Sequence, residues 1–277
     1  VPSLVLEGGT LRPIFSSGIM DALLDEGIMF PYCIGVSAGI SNGISYISKQ
    51  KRRNLEIMEN YRNDPRYIGY RNFFKSRSLF GLDFIFQEIP SRLVPFDTAT
   101  YRSYTGKVLV GVTNAHTGLP EYMDGLEADE QWTLLRATCA IPFVFPAIEL
   151  NGQKYYDGGL ADPIPIRKAV ADGNQKHLIV LTQPKGYEKK LSKRTVRAAR
   201  LLRRRFPKLE EVLLTRHKHY NETVALCEQL EREGQAILLR PEIALDSFEK
   251  DIGKLRETCR QGYELAMKRM DEIQRLF

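Results

Sequence analysis

Residues 35–39 read GVSAG, and residues 7–13 read EGGTLRP. What flanks these two stretches decides the fold. Tyr32–Val36 is a short apolar run that enters the serine turn, and Ile40–Ser48 resumes helical spacing beyond it. Ser3–Leu6 is another short apolar run and ends at Gly8-Gly9. Ile14–Asp25 then carries Ile14, Phe15, Ile19 and Leu23 at helical spacing, with Gly27 where a helix stops. The order is strand, turn, helix, twice over. A β-α-β-α unit of this kind predicts a parallel sheet with right-handed crossovers. In such a sheet both glycine turns fall on the same edge, at the C-terminal ends of the strands.

Further strands are expected at Lys107–Thr113, at Ala147–Leu150 with Lys154–Tyr156 as a hairpin around Asn151-Gly152, at His177–Thr182 and at Ala236–Leu239. From Asp246 onward Ile252, Leu255, Cys259, Tyr263, Met267 and Met270 share one side of an amphipathic closing helix. No internal repeat and no low-complexity segment interrupts the chain. The expected fold class is α/β, with a mainly parallel central sheet between helical layers and helical additions at the C-terminus. A core over residues 1–184 and a basic helical region with a strand and closing helix over 185–277 are expected to pack as one domain.

A G-x-S-x-G between strand and helix has a mechanical meaning. The serine sits on a strained turn, its hydroxyl projects from the sheet edge, and the flanking glycines permit close backbone approach. Ser37 is therefore the candidate nucleophile, against the alternative of a small-residue turn packed for steric reasons. Gly8-Gly9-Thr10 opens the first helix, where successive amides form an anion cradle. The stretch lacks the Gly-Lys-Ser/Thr of a P-loop, and Thr10 and Pro13 break the dinucleotide fingerprint, so no cofactor is expected. An oxyanion hole built from Gly8, Gly9 and Thr10 unites the turn with Ser37. A glycine turn serving helix packing is the alternative.

A serine hydroxyl also needs a base. His177 begins a strand and so lies at the edge opposite Ser37. His217 and His219 sit in a basic helical region, and His116 in the turn TNAHTGLP. Asp157, in YYDGGLADPIP, ends the strand Lys154–Tyr156. A partly desolvated aspartate can act as base toward serine. An Asp-Gly turn residue bonded to its own backbone fits the same residues equally well.

An early glycine loop, then G-x-S-x-G, then a late D-G-G, in that order, resembles the patatin-like phospholipases, the bacterial branch most of all. The likeness extends to about Pro184 and includes RATCAIPFVFPAIELNGQKYYDGG (136–159) and VTNAHTGLPEY (112–122). The resemblance implies a three-layer α/β/α fold and hydrolysis of acyl esters in phospholipids or neutral lipids, without a catalytic histidine. It also implies a Ser-Asp dyad of Ser37 and Asp157, with oxyanion donors from Gly8, Gly9 and Thr10. The family's loop usually reads G-x-G-x-x-G, and this chain has Thr10 and Pro13 at two of the glycine positions. Pro13 has no amide to donate, but it suits a first helical turn. Arg12 is a candidate to orient the loop or meet a phosphate, with a surface salt bridge as the alternative. A catalytically weak or silent lipid-binding relative is the competing function.

The 277 residues suit a single globular unit, and no apolar run approaches the roughly 18 residues that span a bilayer. The first residues read as a strand, not as a signal peptide. Cys33, Cys139, Cys227 and Cys259 show no C-x-x-C spacing, so neither a zinc site nor a disulfide framework is expected, and a reducing cytoplasm is the default compartment. The net charge of +6 is uneven: Lys185–Tyr220 holds 13 Lys/Arg against 3 Glu. That stretch suits peripheral contact with an anionic membrane, or a solvated helix face. It carries no nucleic-acid reading motif, and no nucleic-acid partner is expected. The aromatic and basic run from Tyr61 to Phe86 suits an interfacial or acyl-chain-binding cap, or packing on the sheet.

Overall fold

The computed structural model describes residues 1–277. The chain opens with β1 (Pro2–Leu6), α1 (Ile14–Asp25), β2 (Tyr32–Val36) and α2 (Ser37–Ile47), the expected β-α-β-α unit. Next come α3 (Arg53–Tyr61), α4 (Tyr70–Ser76), a π-helical stretch at Phe84–Leu93 and α5 (Thr98–Arg102). The central part holds β3 (Lys107–Asn114), β4 (Pro120–Asp124), α6 (Thr133–Thr138), β5 (Ile148–Leu150), β6 (Gln153–Asp157) and α7 (Ile166–Ala171). The chain closes with β7 (Lys176–Val180), α8 (Lys193–Arg203), α9 (Pro207–Arg232), β8 (Ala236–Leu239), α10 (Ile252–Lys268) and α11 (Met270–Gln274).

β1 pairs in parallel with β2 and β7, β2 with β3, and β7 with β8. β4 and β6 pair antiparallel to β3, and β5 antiparallel to β6. Successive residues of β1 point to opposite faces. Leu4 and Leu6 enter a large apolar cluster with α1, α2, α3 and α10, and Val5 enters a smaller one with α7 and the C-terminal half of α9. Two clusters on two faces make a three-layer α/β/α molecule. The larger cluster runs from Leu4 to Leu276, so residues beyond 184 share the core of those before it.

Three details depart from the sequence reading. The charged edge strand β4 has the exposed composition of a loop and was not expected. The closing helix starts at Ile252, not Asp246, because Asp251 caps it by accepting from the Gly253 and Lys254 amides. It also breaks at Arg269 (φ −107°) into α10 and α11.

The strand register brings Ser37 and Asp157 to one edge of the sheet. Leu109, Val110 and Gly111 pair with both β2 and β4, so those strands flank β3 on opposite sides. Val112 and Thr113 pair with both β4 and β6. β2 and β6 therefore lie end to end along the same edge of β3. Val36 stands opposite Gly111 and Asp157 opposite Val112. Val36 and Asp157, 121 positions apart, are thus brought to neighbouring rungs of one strand.

Candidate active site

Ser37 is the first residue of α2 and holds φ +52°, a left-handed conformation that non-glycine residues seldom adopt. The turn is held by its neighbours. The Ser37 amide donates to Thr138 Oγ1 at 2.8 Å, and that hydroxyl donates to the Gly111 carbonyl at 2.5 Å. Gly39 is required by close approach: a Cβ there would lie 2.4 Å from the Glu7 carbonyl oxygen. The elbow is pressed against β1 so tightly that only a hydrogen fits.

The Ser37 hydroxyl donates to Asp157 Oδ2 at 2.7 Å, and both residues are buried. Asp157 Oδ1 accepts the Gly159 amide at 2.7 Å. Burial pushes the Asp157 carboxyl up to about 6, opposed by the Ser37 hydroxyl, the Gly159 amide and the Arg216 charge. The carboxylate is ionised at neutral pH yet a stronger base than a solvated aspartate, which suits proton abstraction. The two carboxylate oxygens divide their partners: Oδ1 closes the turn on the Gly159 amide and Oδ2 faces the serine hydroxyl.

None of the four histidines hydrogen-bonds to this pair. His177 Nδ1 meets Ser3 Oγ at 2.7 Å at the opposite end of the strands, and burial lowers its pKa to about 4. His219 lies 3.7 Å from Asp162, and His116 packs edge-on against Phe206. His217 Nδ1 is buried without a partner.

The amides of Gly8, Gly9 and Thr10 donate to no acceptor in the protein. Gly8 packs on Ser37, where an added Cβ would sit 3.1 Å from the serine Cβ. The Ser37 amide is already engaged by Thr138, whereas the three loop amides stand free to meet an anion. Gly9 takes φ +147° and Thr10 φ +58°. The threonine thus adopts the conformation that its glycine-replacing position demands, at a cost of about 1–2 kcal/mol. Thr10→Gly should relieve that strain against the lower chain-entropy cost of threonine, about 0.5–1 kcal/mol. Urea unfolding should find the variant unchanged or up to about 1.5 kcal/mol more stable. A clear loss of stability would show that the threonine side chain carries the loop.

Arg12 turns away from the cavity. It donates through Nε to Thr182 Oγ1 at 3.5 Å and through Nη1 to Ser247 Oγ, packed behind Gly9. The guanidinium lies against the loop and does not line the cavity. Glu7, buried beneath, accepts the Thr182 amide at 2.5 Å, and burial raises its pKa.

A cavity of about 150 Å³ opens beside Ser37 and Thr10. Its walls are mostly apolar, with Ile57, Met58, Phe80, Ile89 and Phe145 among them. The π-helical stretch supplies Ile85, Phe86, Ile89 and Pro90. The aromatic run from Tyr61 to Phe86 divides in two. Tyr67, Phe80 and Phe86 face the cavity, whereas α4 exposes Phe74 (88%) and Tyr70 (82%). The cavity wall also holds Arg53, whose pKa burial lowers to about 10, and whose Nη2 donates to the Val94 carbonyl at 2.9 Å. Cys139 lines the cavity too, its thiol pushed up to about 12 by burial and by the Asp157 charge.

Sequence reasoning missed Thr138, Arg216 and Ser247. Thr138 lies within RATCAIPF, a stretch already singled out. Nothing local marks Arg216, whose Nε donates to the Gly159 carbonyl at 2.6 Å, or Ser247. No helix is long and apolar enough to cross a membrane.

Residues 4–170 match the family model described as Patatin-like phospholipase. Residues 206–277 match a model described as a domain of unknown function, DUF6363. The uncharacterized protein YjjU of Escherichia coli (strain K12) is 28% identical over 187 residues, which cover 66% of this chain and 52% of YjjU. The probable lipid hydrolase 463L of Invertebrate iridescent virus 6 is 27% identical over 195 residues, 63% of this chain and 65% of that protein. The chain thus spans between half and two thirds of the curated relatives it matches. Among solved structures, VipD from Legionella pneumophila aligns over 98% of this chain and 66% of its own, with a TM-score of 0.49 and 14% identity.

Proposed function

Because the chain belongs to the patatin-like phospholipase family, we propose that it is a serine acyl hydrolase that cleaves carboxylic esters of phospholipids or neutral lipids through a Ser37-Asp157 dyad. The observation that carries the reading is the 2.7 Å hydrogen bond from Ser37 Oγ to Asp157 Oδ2, made at a strained elbow with no histidine hydrogen-bonded to either residue. Membership of the family supports a lipid ester as substrate, and the apolar cavity beside the serine suits an acyl chain.

Ser37 Oγ attacks the ester carbonyl carbon while Asp157 Oδ2 accepts its proton. The carbonyl oxygen becomes an oxyanion, received by the unengaged amides of Gly8, Gly9 and Thr10. Collapse breaks the bond to the alcohol oxygen, which takes the proton back from Asp157 and leaves. The acyl group is now esterified to Ser37. Water then surrenders a proton to Asp157 and attacks the acyl carbon. A second collapse returns the proton to Ser37 Oγ and releases the fatty acid.

The competing reading, a weak or silent lipid-binding protein, draws on Thr10 and Pro13 at glycine positions. Three free amides and a formed serine–carboxylate bond favour catalysis over it. Hydrolysis of a soluble short-chain p-nitrophenyl ester and of phospholipid vesicles tests the choice. Turnover of both supports the hydrolase. Lipid binding without turnover of either would leave only the silent protein.

The setting proposed is the cytoplasm with peripheral membrane contact, in keeping with four free cysteines. α8 turns Lys193, Arg194, Arg197 and Arg200 to solvent while Ala199 and Leu202 are buried. Together with Arg203, Arg204 and Arg205 these form a basic face in the stretch 185–220, suited to an anionic bilayer at about 1 kcal/mol per charge near the surface. Reversing Arg203, Arg204 and Arg205 to glutamate should sharply cut binding to phosphatidylglycerol vesicles. Turnover of a soluble ester should stay nearly unchanged, and parent binding should weaken with salt. Equal vesicle binding by parent and triple variant would reduce α8 to a solvated face.

A further inference from the structure

Residues 206–277, matched by a domain model without assigned function, reach back to both loops of the candidate site. The first contact is on the aspartate loop. Arg216, half-buried in the middle of α9, donates from Nε to the Gly159 carbonyl at 2.6 Å. Its Nη2 lies 3.7 Å from where a Gly159 Cβ would stand, so the guanidinium rests against the Asp157-Gly158-Gly159 turn. The same glycine sends its amide to Asp157 Oδ1. Arg216 therefore holds by its carbonyl the residue that holds the carboxylate by its amide.

The second contact is on the oxyanion loop. Ser247, in the segment before α10, accepts from Arg12 Nη1 through its hydroxyl and from the Leu11 amide through its carbonyl, the latter at 3.3 Å. Leu11 and Arg12 directly follow the three free amides. α1, which the loop opens, is held by α10 at a crossing without side chains: a Cβ on Gly18 would lie 1.8 Å from the Cys259 carbonyl oxygen, and one on Gly262 2.1 Å from that of Phe15. The C-terminal segment thus holds the glycine loop from its downstream side, at Leu11 and Arg12 and through α1.

We propose that residues 206–277 complete the catalytic site, with Arg216 positioning the aspartate loop and Ser247 the oxyanion loop. The proposal rests on the serine hydrolase reading. A geometry error of about 1 Å at such a site costs on the order of 100-fold in rate, so braces of this kind act on kcat. Arg216 also acts by charge. Asp157 is faced by the Ser37 hydroxyl, the Cys139 thiol, the Gly159 amide and the Arg216 guanidinium. Glu7, Arg12, Tyr220 and Lys189 surround the guanidinium in turn. The only cation acting directly on Asp157 is Arg216. Its removal disfavours the carboxylate, so the base ionises only at higher pH.

The test is the pH profile of kcat/KM on a soluble p-nitrophenyl ester with the full chain, each rate divided by the serine titrated with a fluorophosphonate. Arg216→Met should lower kcat by about 10- to 100-fold with little change in KM. The acid limb of its profile should move to higher pH. Arg216→Lys, which keeps the charge, should return the limb to the parent position. Should Arg216→Met fail to fold, Arg216→Gln retains a donor for Gly159 and reads the charge through the same limb. Ser247→Ala should lower kcat and the rate of fluorophosphonate labelling without moving the limb. Arg216 variants with parent rates per titrated serine and an unmoved limb, or a Ser247 variant with parent kcat, would overturn the corresponding brace. A parent that neither labels nor turns over would instead overturn the hydrolase reading on which the proposal rests.

Discussion

Asp157→Asn is expected to lower kcat by about 10²- to 10⁴-fold, the contribution of a positioned general base. Asparagine keeps the shape and can still accept the Gly159 amide through its carbonyl oxygen, so the turn and the fold should survive. What it lacks is a basic oxygen toward the Ser37 hydroxyl, which now donates to Asp157 Oδ2 at 2.7 Å. In the parent, burial places the Asp157 carboxyl at about 6. The base works only when ionised, so kcat/KM should fall as pH drops through about 6 and level off above it. The variant should lose that limb together with its activity. Single alanine variants of His116, His177, His217 and His219 should each keep most of the activity, because none contacts the pair. A properly folded histidine variant as inactive as Asp157→Asn would replace the dyad with a Ser-His-Asp arrangement.

The second large effect belongs to the nucleophile. On the proposed mechanism, Ser37→Ala removes the oxygen that would carry the acyl group. Cys139 lines the same cavity, but its thiol is held protonated by burial and by the Asp157 charge. Esterase activity should fall by at least about 10⁴-fold, to whatever the oxyanion loop and binding alone supply. Stability should hold or rise, since alanine leaves Asp157 in place and adds no bulk at φ +52°. Urea unfolding alongside the activity assay separates loss of chemistry from loss of fold. Residual turnover above a hundredth of the parent, at full folding, would point to another nucleophile.

Much of this site is local and therefore legible in the sequence. Two apolar runs ending in glycine turns, each followed by helical spacing, fix Ser37 and Gly8-Gly9-Thr10 on one edge of a parallel sheet. Asp157 was legible as a strand-ending carboxylate, but its meeting with Ser37 was not. That meeting depends on β2 and β6 sharing an edge of β3, a register set by tertiary pairing which no periodicity encodes. The charged edge strand β4 was missed because exposed strands carry the composition of loops.

The C-terminal contacts were hidden for a different reason. Arg216 reads as one more basic residue in LLTRHKHYNETV, beside the exposed Lys218 and two half-buried histidines. Only the path of α9 across the sheet decides which of them turns inward to Gly159. Thr10 is the reverse case. Its place in a glycine pattern was plain from the sequence, and the structure adds that its backbone takes the left-handed conformation with its amide left free. A missing glycine therefore changes the cost of the loop rather than its shape.

The central claim is that Ser37 is an activated nucleophile facing a formed oxyanion hole. The most direct measurement is peptide mapping by mass spectrometry after brief treatment of the full chain with an alkyl fluorophosphonate, which reacts quickly only with such a serine. The account predicts one phosphonate per chain, on the peptide that contains Ser37. It also predicts labelling that slows as pH falls through about 6 and is absent from Ser37→Ala. A phosphonate on any other residue, or none on a folded chain at pH 8, would contradict it.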